Sequence, residues 1–273
     1  MEFSTIKLPD GKKRIIPKDV ALRVPENPSI DKKDAHFLVY LPWKEKYMEA
    51  VPSKYVEFFK NVVLPNTNVR STNVHVALCM PFVKRLAKDT KARLDMDVVY
   101  VAFMLHDIGW SSMDEKEIAA SLDVKGLSLN GKAVEPKKKH AILGAAMASE
   151  VLRSWKFKKD LSETQKDAII DAVLLHDRPE ELSSREAFSD ELKMVADVDH
   201  LWSFVHENFW LDTIRKDVEP PDYANELEKD LDGYFVTAIG RRFARKLLEK
   251  RMKEVEELKR GRHILSYSDS NSG

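Results

Sequence analysis

The chain has one cysteine, Cys79, among 273 residues. That excludes an internal disulfide framework and any metal site built from cysteine alone, and it points to a reducing compartment. Glycine is scarce, with nine residues, and none sit in a phosphate-cradling loop. With neither a P-loop nor a dinucleotide fingerprint present, nucleotide binding by those two routes is excluded. An excess of either charge is also lacking. Lys and Arg number 45, and so do Asp and Glu, so the basic surplus of a general nucleic-acid binder is missing. A local basic pocket for a small anion remains open. Long apolar runs are absent as well. The longest, residues 98–105, falls far short of the roughly 18 residues that span a bilayer. The opening MEFSTIKLPDGKKRIIPKDV holds no apolar stretch of signal-peptide length. The expectation is a cytoplasmic protein without a membrane or nucleic-acid partner.

The composition is otherwise that of an ordinary globular chain, long enough to bury a core without staples. Residues 1–50 carry Pro9, Pro17, Pro25, Pro28 and Pro42 and read as an N-terminal arm, extended or in short strands packed on a body. From there the pattern is helical. Residues 53–63 form a short amphipathic helix that Pro65 ends. Ser71 or Thr72 caps a helix running to Asp89, with Val74, Ala77, Leu78, Phe82, Val83 and Leu86 at three/four spacing. Asp95 or Asp97 caps an almost wholly apolar, hence central, helix over 98–107. Residues 111–136 hold a short acidic helix from Asp114 and an Asn130-Gly131 turn; the segment is either a lid or a passive excursion. Further helices are expected over 136–156, from the Ser162–Gln165 capping box to His176, over 190–207, and over 222–260 with bends at Gly233 or Gly240. The polar tail, 263–273, is expected to be disordered. The fold class is therefore all-α, with the body over 51–262. Along 241–262 charged residues alternate with Leu and Met, as in a solvated helix face or the contact of a homodimer.

Eight histidines are present: His36, His75, His106, His140, His176, His200, His206 and His263. A single histidine on a helix is ordinarily a satisfied core or surface residue. Four of them change the reading together. His75, His106, His140 and His176 each lie at or near the apolar face of a different helix, where an unpaired imidazole is costly to bury. Four such costs on four helices point to a shared partner, and a metal centre between facing helices is the economical one. A fifth helix carries MVADVDHLW, in which Asp197 and Asp199 point to different sides. Periodicity does not choose between them. His106 and Asp107 are adjacent, so on a regular helix they would diverge by about 100°. At a helix end, which Ile108-Gly109 provides, one can serve each of two neighbouring ions, or both can serve one. His200 and His206 read as surface residues or as neighbours of the ligands. Cys79 reads as core. Trp202, Phe204, Phe209 and Trp210 read as core packing or a pocket wall.

Taken in order, His75, His106-Asp107, His140, His176 and Asp199, spaced by 31, 34, 36 and 23 residues, resemble the HD-domain superfamily, named for its adjacent His-Asp pair. LLHDIGW resembles the family's His-Asp segment, KKHAILGAAMASEVL its helix of His followed by small residues, and VDHL its closing aspartate, which favours Asp199. The resemblance spans about residues 70–206. It implies an all-α HD-domain helical bundle with a metal centre in its core, holding two divalent ions on His75, His106, Asp107, His140, His176 and Asp199. Imidazole with carboxylate suits Fe, Mn, Co, Ni or Zn. Trp110 stands where members that cleave cyclic dinucleotides have Lys, and no Gly-Tyr-Pro occurs, so the resemblance does not extend to them. It implies a phosphohydrolase of a small anionic phosphate ester or nucleotide, with Asp107 bridging the ions. From their places beside the ligands, Lys139, next to His140, and Arg178, two after His176, are candidate catalytic cations or else solvated surface charges. Arg70 and Arg241 are weaker candidates. The alternative is a mixed-valence di-iron oxygenase that cleaves C–C or C–P bonds with O2. A third reading, a scaffold with incidental histidines, predicts no stoichiometric metal.

Overall fold

The computed structural model describes residues 1–24, 35–121, 134–157, 160–178, 181–182 and 188–270. The Asn130-Gly131 turn and Pro179 lie outside the described residues. The chain opens with an antiparallel hairpin, β1 (Phe3–Lys7) and β2 (Lys13–Pro17), in which Phe3 faces Pro17. Its apolar residues join the main core: Leu8, Ile16, Val20, Val39 and Leu41 pack in one cluster with the helices. The expected arm is thus a layer of the body. Arg14 pairs with Asp217 and, at 2.8 Å, with Glu219, and Phe3 sets its ring edge-on to Trp210 at 6.0 Å.

All other regular structure among the described residues is helical. Short turns lead into a stretch wound as a π-helix over Phe59–Val63, where the Leu64 N–H bonds Phe59 O. Pro65 does not end this helix as expected. The wider π-turn leaves room for the ring, and a last α-turn continues over Leu64–Asn66. The body then comprises α1 (Thr72–Asp89), α2 (Met96–Leu105), α3 (Glu115–Ser121), α4 (Val134–Ser154), α5 (Glu163–Leu175), α6 (Asp190–His200), α7 (His206–Arg215), α8 (Pro220–Tyr234) and α9 (Ala238–Ser270). The Asp95 carboxylate caps α2 by accepting from Asp97 N and Val98 N, and the Ser162–Gln165 capping box opens α5. Every residue of α2 from Val98 to Leu105 except Tyr100 is buried, and α1, α5 and α6 pack around it. The backbone of α9 is helical to Ser270; residues 271–273 of the expected tail lie outside the described residues.

Three expectations are corrected by packing. Ser71 stands at the N-cap of α1 but is left-handed, with φ 66°, and its hydroxyl accepts from Leu41 N at 2.8 Å, so it ties in the N-terminal segment. The helix expected over 190–207 ends at His200; a 3-10 turn over Leu201–Phe204 precedes α7, which the sequence pattern hid inside its aromatic run. The helix expected over 222–260 is two helices. It breaks at Phe235–Thr237, ahead of Gly240, because a buried carboxylate on α6 takes the amides of that turn.

His206 fastens three elements together. Its Nδ1 lies 3.0 Å from Glu254 Oε2 on α9 and its Nε2 3.3 Å from Asp19 Oδ1 after the hairpin. Arg251 and the Trp210 N–H reach the same Glu254. Burial alone would lower the His206 pKa; the bond to Glu254 outweighs it and raises the pKa above the ordinary histidine value. A raised folded-state pKa contributes stability that is complete below the unfolded value and is lost as pH rises through the folded one. The melting temperature is therefore expected to decline from about pH 6.5 upward, and His206→Asn to flatten that slope. Parallel slopes for the two proteins between pH 5.5 and 8.5 would refute this.

Candidate metal centre

Five helices converge on one point. His75 lies in the first turn of α1. His106 and Asp107 follow the end of α2, His140 lies in α4, His176 follows α5, and Asp199 lies near the end of α6. The helical end expected at His106-Asp107 is present: Asp107 leaves the helix at φ −101°, ψ 8°, and this turns both side chains to the same centre. Gly109 permits the arrangement. A Cβ there would lie 2.0 Å from His140 O and 2.6 Å from Gly144 N, so only glycine lets the turn after Asp107 press against α4.

The donors fall into two sets that share Asp107: His75, His106, Asp107 and Asp199; and Asp107, His140 and His176. In the first, His106 Nε2 is 3.4 Å from Asp107 Oδ2 and 3.3 Å from Asp199 Oδ1. His75 Nδ1 lies 3.3 Å from Asp107 Oδ2, and its Nε2 3.4 Å from Asp199 Oδ1. In the second, His140 Nε2 and His176 Nε2 are 3.2 Å apart and lie 3.5 and 3.7 Å from Asp107 Oδ1. Asp107 thus turns one oxygen to each set. All six expected ligands are brought together.

Two observations show that these residues suit metal ions. First, the tautomers are preset. His106 Nδ1 donates to Phe103 O at 2.6 Å and His176 Nδ1 to Val173 O at 2.8 Å, which leaves each Nε2 lone pair facing the cluster. Secondly, the buried Nε2 atoms of His75 and His106 make no hydrogen bond, although carboxylates face them. Donors bound to one ion at about 2.1 Å stand about 3.0 to 3.4 Å apart in octahedral or tetrahedral geometry, and the closest donor spacings here match. Burial alone would lower the His106 pKa, but Asp107 and Asp199 raise it well above the ordinary value. The cluster calls for positive charge.

Aromatic rings brace the ligands. Trp110 stacks on His140 at 4.0 Å and donates its Nε1–H to Asp107 Oδ1 at 2.9 Å. Trp202 stacks on His75 at 4.8 Å, so it is pocket wall, whereas Phe204, Phe209 and Trp210 are core. Trp110→Phe keeps the stacking face and removes the bond to the shared carboxylate. About a 10-fold loss of metal affinity is expected, with the melting point of the metal-free protein little changed. Metal titration with an unchanged dissociation constant would refute that role.

Asp197 and Asp199 take separate duties. Asp199 joins the cluster. Asp197 is fully buried and accepts from Val236 N at 2.7 Å, Thr237 N at 3.1 Å and the Thr237 hydroxyl, which fixes the start of α9. Gly240 lies against it; a Cβ there would approach Asp197 Oδ2 to 2.3 Å.

The cluster opens on a cavity of about 290 Å³ whose lining includes Arg70, Lys137, Arg215 and Lys216. Lys137 Nζ bonds Asp177 Oδ1 at 3.3 Å, and that carboxylate raises its pKa above the usual lysine range. Lys139 instead pairs with Glu117 near the surface, and Arg178 lies 3.5 Å from Glu181; neither lines the cavity. Arg241 lies 3.4 Å from Asp232, away from it. The missed signal was helical spacing. Lys137 is three residues before His140 and shares its face, whereas Lys139 diverges from it. His200 is buried, not a surface residue. It stacks on Tyr234 at 4.1 Å, with Nε2 3.7 Å from Asp177. Cys79 is core, its thiol pushed up by burial.

Residues 74–202 match the family model of the HD domain. This segment is an HD domain. The match spans all six candidate ligands and leaves out the N-terminal hairpin and α7 to α9; an HD domain implies a superfamily of metal-dependent phosphohydrolase type. Comparison with curated proteins and with solved structures returns no match. Arg70, Arg215 and the helices α7 to α9 lie outside the HD domain proper, yet the two arginines help line its cavity. No helix among the described residues is long and apolar enough to cross a membrane.

Proposed function

We propose that the chain is a metal-dependent phosphohydrolase of a small phosphate ester or nucleotide. The observation that carries this reading is one carboxylate, Asp107, shared between two histidine-containing donor sets that open on a cavity lined by Arg70, Lys137, Arg215 and Lys216. Fe, Mn, Co, Ni and Zn all suit the imidazole and carboxylate donors. Two divalent ions there would supply Lewis acidity and lower the pKa of a water molecule at the site. The chain's own residues do the rest. The Trp110 N–H bonds Asp107 Oδ1 and so steadies the carboxylate shared by the two donor sets. Lys137, kept charged by Asp177, offers its ammonium to a phosphoryl oxygen. Trp110 and Trp202 wall the donors, and so limit bulk water around the reacting group.

The test is phosphate release by protein loaded with Mn²⁺ or Fe²⁺, screened against nucleotides, sugar phosphates and simple esters, with Asp107→Ala as the control. Release that disappears in the control supports the reading. No release from a protein that binds metal, together with O2 uptake on polyols or phosphonates, would replace it with the di-iron oxygenase.

A further inference from the structure

Two arginines in the cavity form no ion pair among the described residues. Arg215 is 3% exposed. Its Nε donates to Val39 O at 2.8 Å and its Nη2 to Arg70 O at 3.2 Å. Both acceptors are neutral, and Nη1 has no protein partner among the described residues. Arg70 is partly buried. Its Nη1 reaches the Ser121 hydroxyl at 3.4 Å and its enclosed Nε has no partner. No carboxylate among the described residues lies within ion-pair distance of either guanidinium. The nearby Asp212 is held at its Oδ2, which accepts from Asn208 Nδ2 at 2.9 Å and the Tyr223 hydroxyl at 2.8 Å.

The backbone is bent to hold this pair. Arg70 and Ser71 are consecutive left-handed residues, at φ 54° and 66°, a conformation that costs free energy without glycine. It directs Arg70 O to Arg215 while the Arg70 guanidinium packs over the Trp110 ring at 4.2 Å. The same indole stacks on His140. The arginine pair and the metal-ligand cluster are therefore neighbouring, separate stations on one cavity wall, with Trp110 between them. Asp107, Asp177, Asp199, Asp212 and Asp230 also line the cavity, but with neither guanidinium in an ion pair, two like charges held together in a largely buried pocket are costly unless an anion joins them. Planar guanidinium forks suit the paired oxygens of a phosphoryl group.

We propose that Arg70 and Arg215 form a subsite for a second phosphoryl group of the substrate, which makes the substrate a diphosphate or bisphosphate. This rests on the phosphohydrolase reading for what happens at the metal-ligand cluster, but the subsite is testable by itself. The experiment is calorimetric titration of the full chain, stripped of metal, with methylenediphosphonate and with inorganic phosphate. The diphosphonate cannot be hydrolysed, so the result is independent of whether loaded protein releases phosphate. Wild type is expected to bind the diphosphonate more tightly than phosphate, and Arg70→Gln to weaken that binding about 10-fold or more. Arg70→Lys, which keeps the charge and loses the fork, covers the case in which Arg70→Gln fails to fold; a loss of about 5-fold is expected. The proposal is overturned if wild type does not bind the diphosphonate, prefers phosphate, or binds no better than the folded Arg70 variant.

Discussion

Asp107→Ala is expected to remove phosphate release by about 1,000-fold or more, equivalent to about 4 kcal/mol of barrier, and to lower the amount of metal bound. The reason is geometric. Asp107 is the one residue common to both donor sets, with Oδ2 facing His75 and His106 and Oδ1 facing His140 and His176. Removing it takes a ligand from each set at once, whereas loss of any single histidine disturbs one. The fold should survive, since the main hydrogen bond lost is that from Trp110, at about 1 to 2 kcal/mol. Metal content by mass spectrometry, phosphate release and a melting curve test this together. A variant that keeps a full metal complement, or more than a hundredth of wild-type release, would show that Asp107 is not shared in solution.

The largest effect on stability is expected two residues from a ligand. Asp197→Ala should destabilise the chain by about 3 kcal/mol or more, because it strips a buried acceptor from two amides and a hydroxyl at the turn before α9. For a chain of this size that is a fall of at least about 6 °C in melting temperature. Gly240→Ala should act in the same direction, since the added methyl would meet the Asp197 carboxylate. Asp199→Ala is the contrasting case: melted without metal, it should stay within about 1 kcal/mol of wild type while losing metal affinity. Equal melting points for the Asp197 and Asp199 variants would mean that Asp197 does not anchor the turn.

These two predictions show where local pattern stops being informative. The caps at Asp95 and Ser162, the buried run of α2 and the break after His106-Asp107 are set by neighbours in the chain, so they were legible in the residues. The π-turn that carries Pro65 onward, the division of 222–260 into two helices and the separate α7 were not. The last two depend on contacts from elsewhere: the Asp197 carboxylate, and the core that receives Phe209 and Trp210. The same holds within the site. Arg215 sits far from the His-Asp segment in sequence and carries no motif, and only folding brings it to Arg70 O.

By itself, then, the sequence determined the all-α class and the helical end that frees His106 and Asp107 to act together, because periodicity, capping and helix breaks are properties of short segments; its resemblance to a family gave the order of six candidate metal ligands. The tertiary structure alone decided what Asp197 anchors, which lysine lines the cavity and which arginines meet there. Helical spacing separates the directions of neighbouring side chains, but what stands in each direction is set by the elements packed around them.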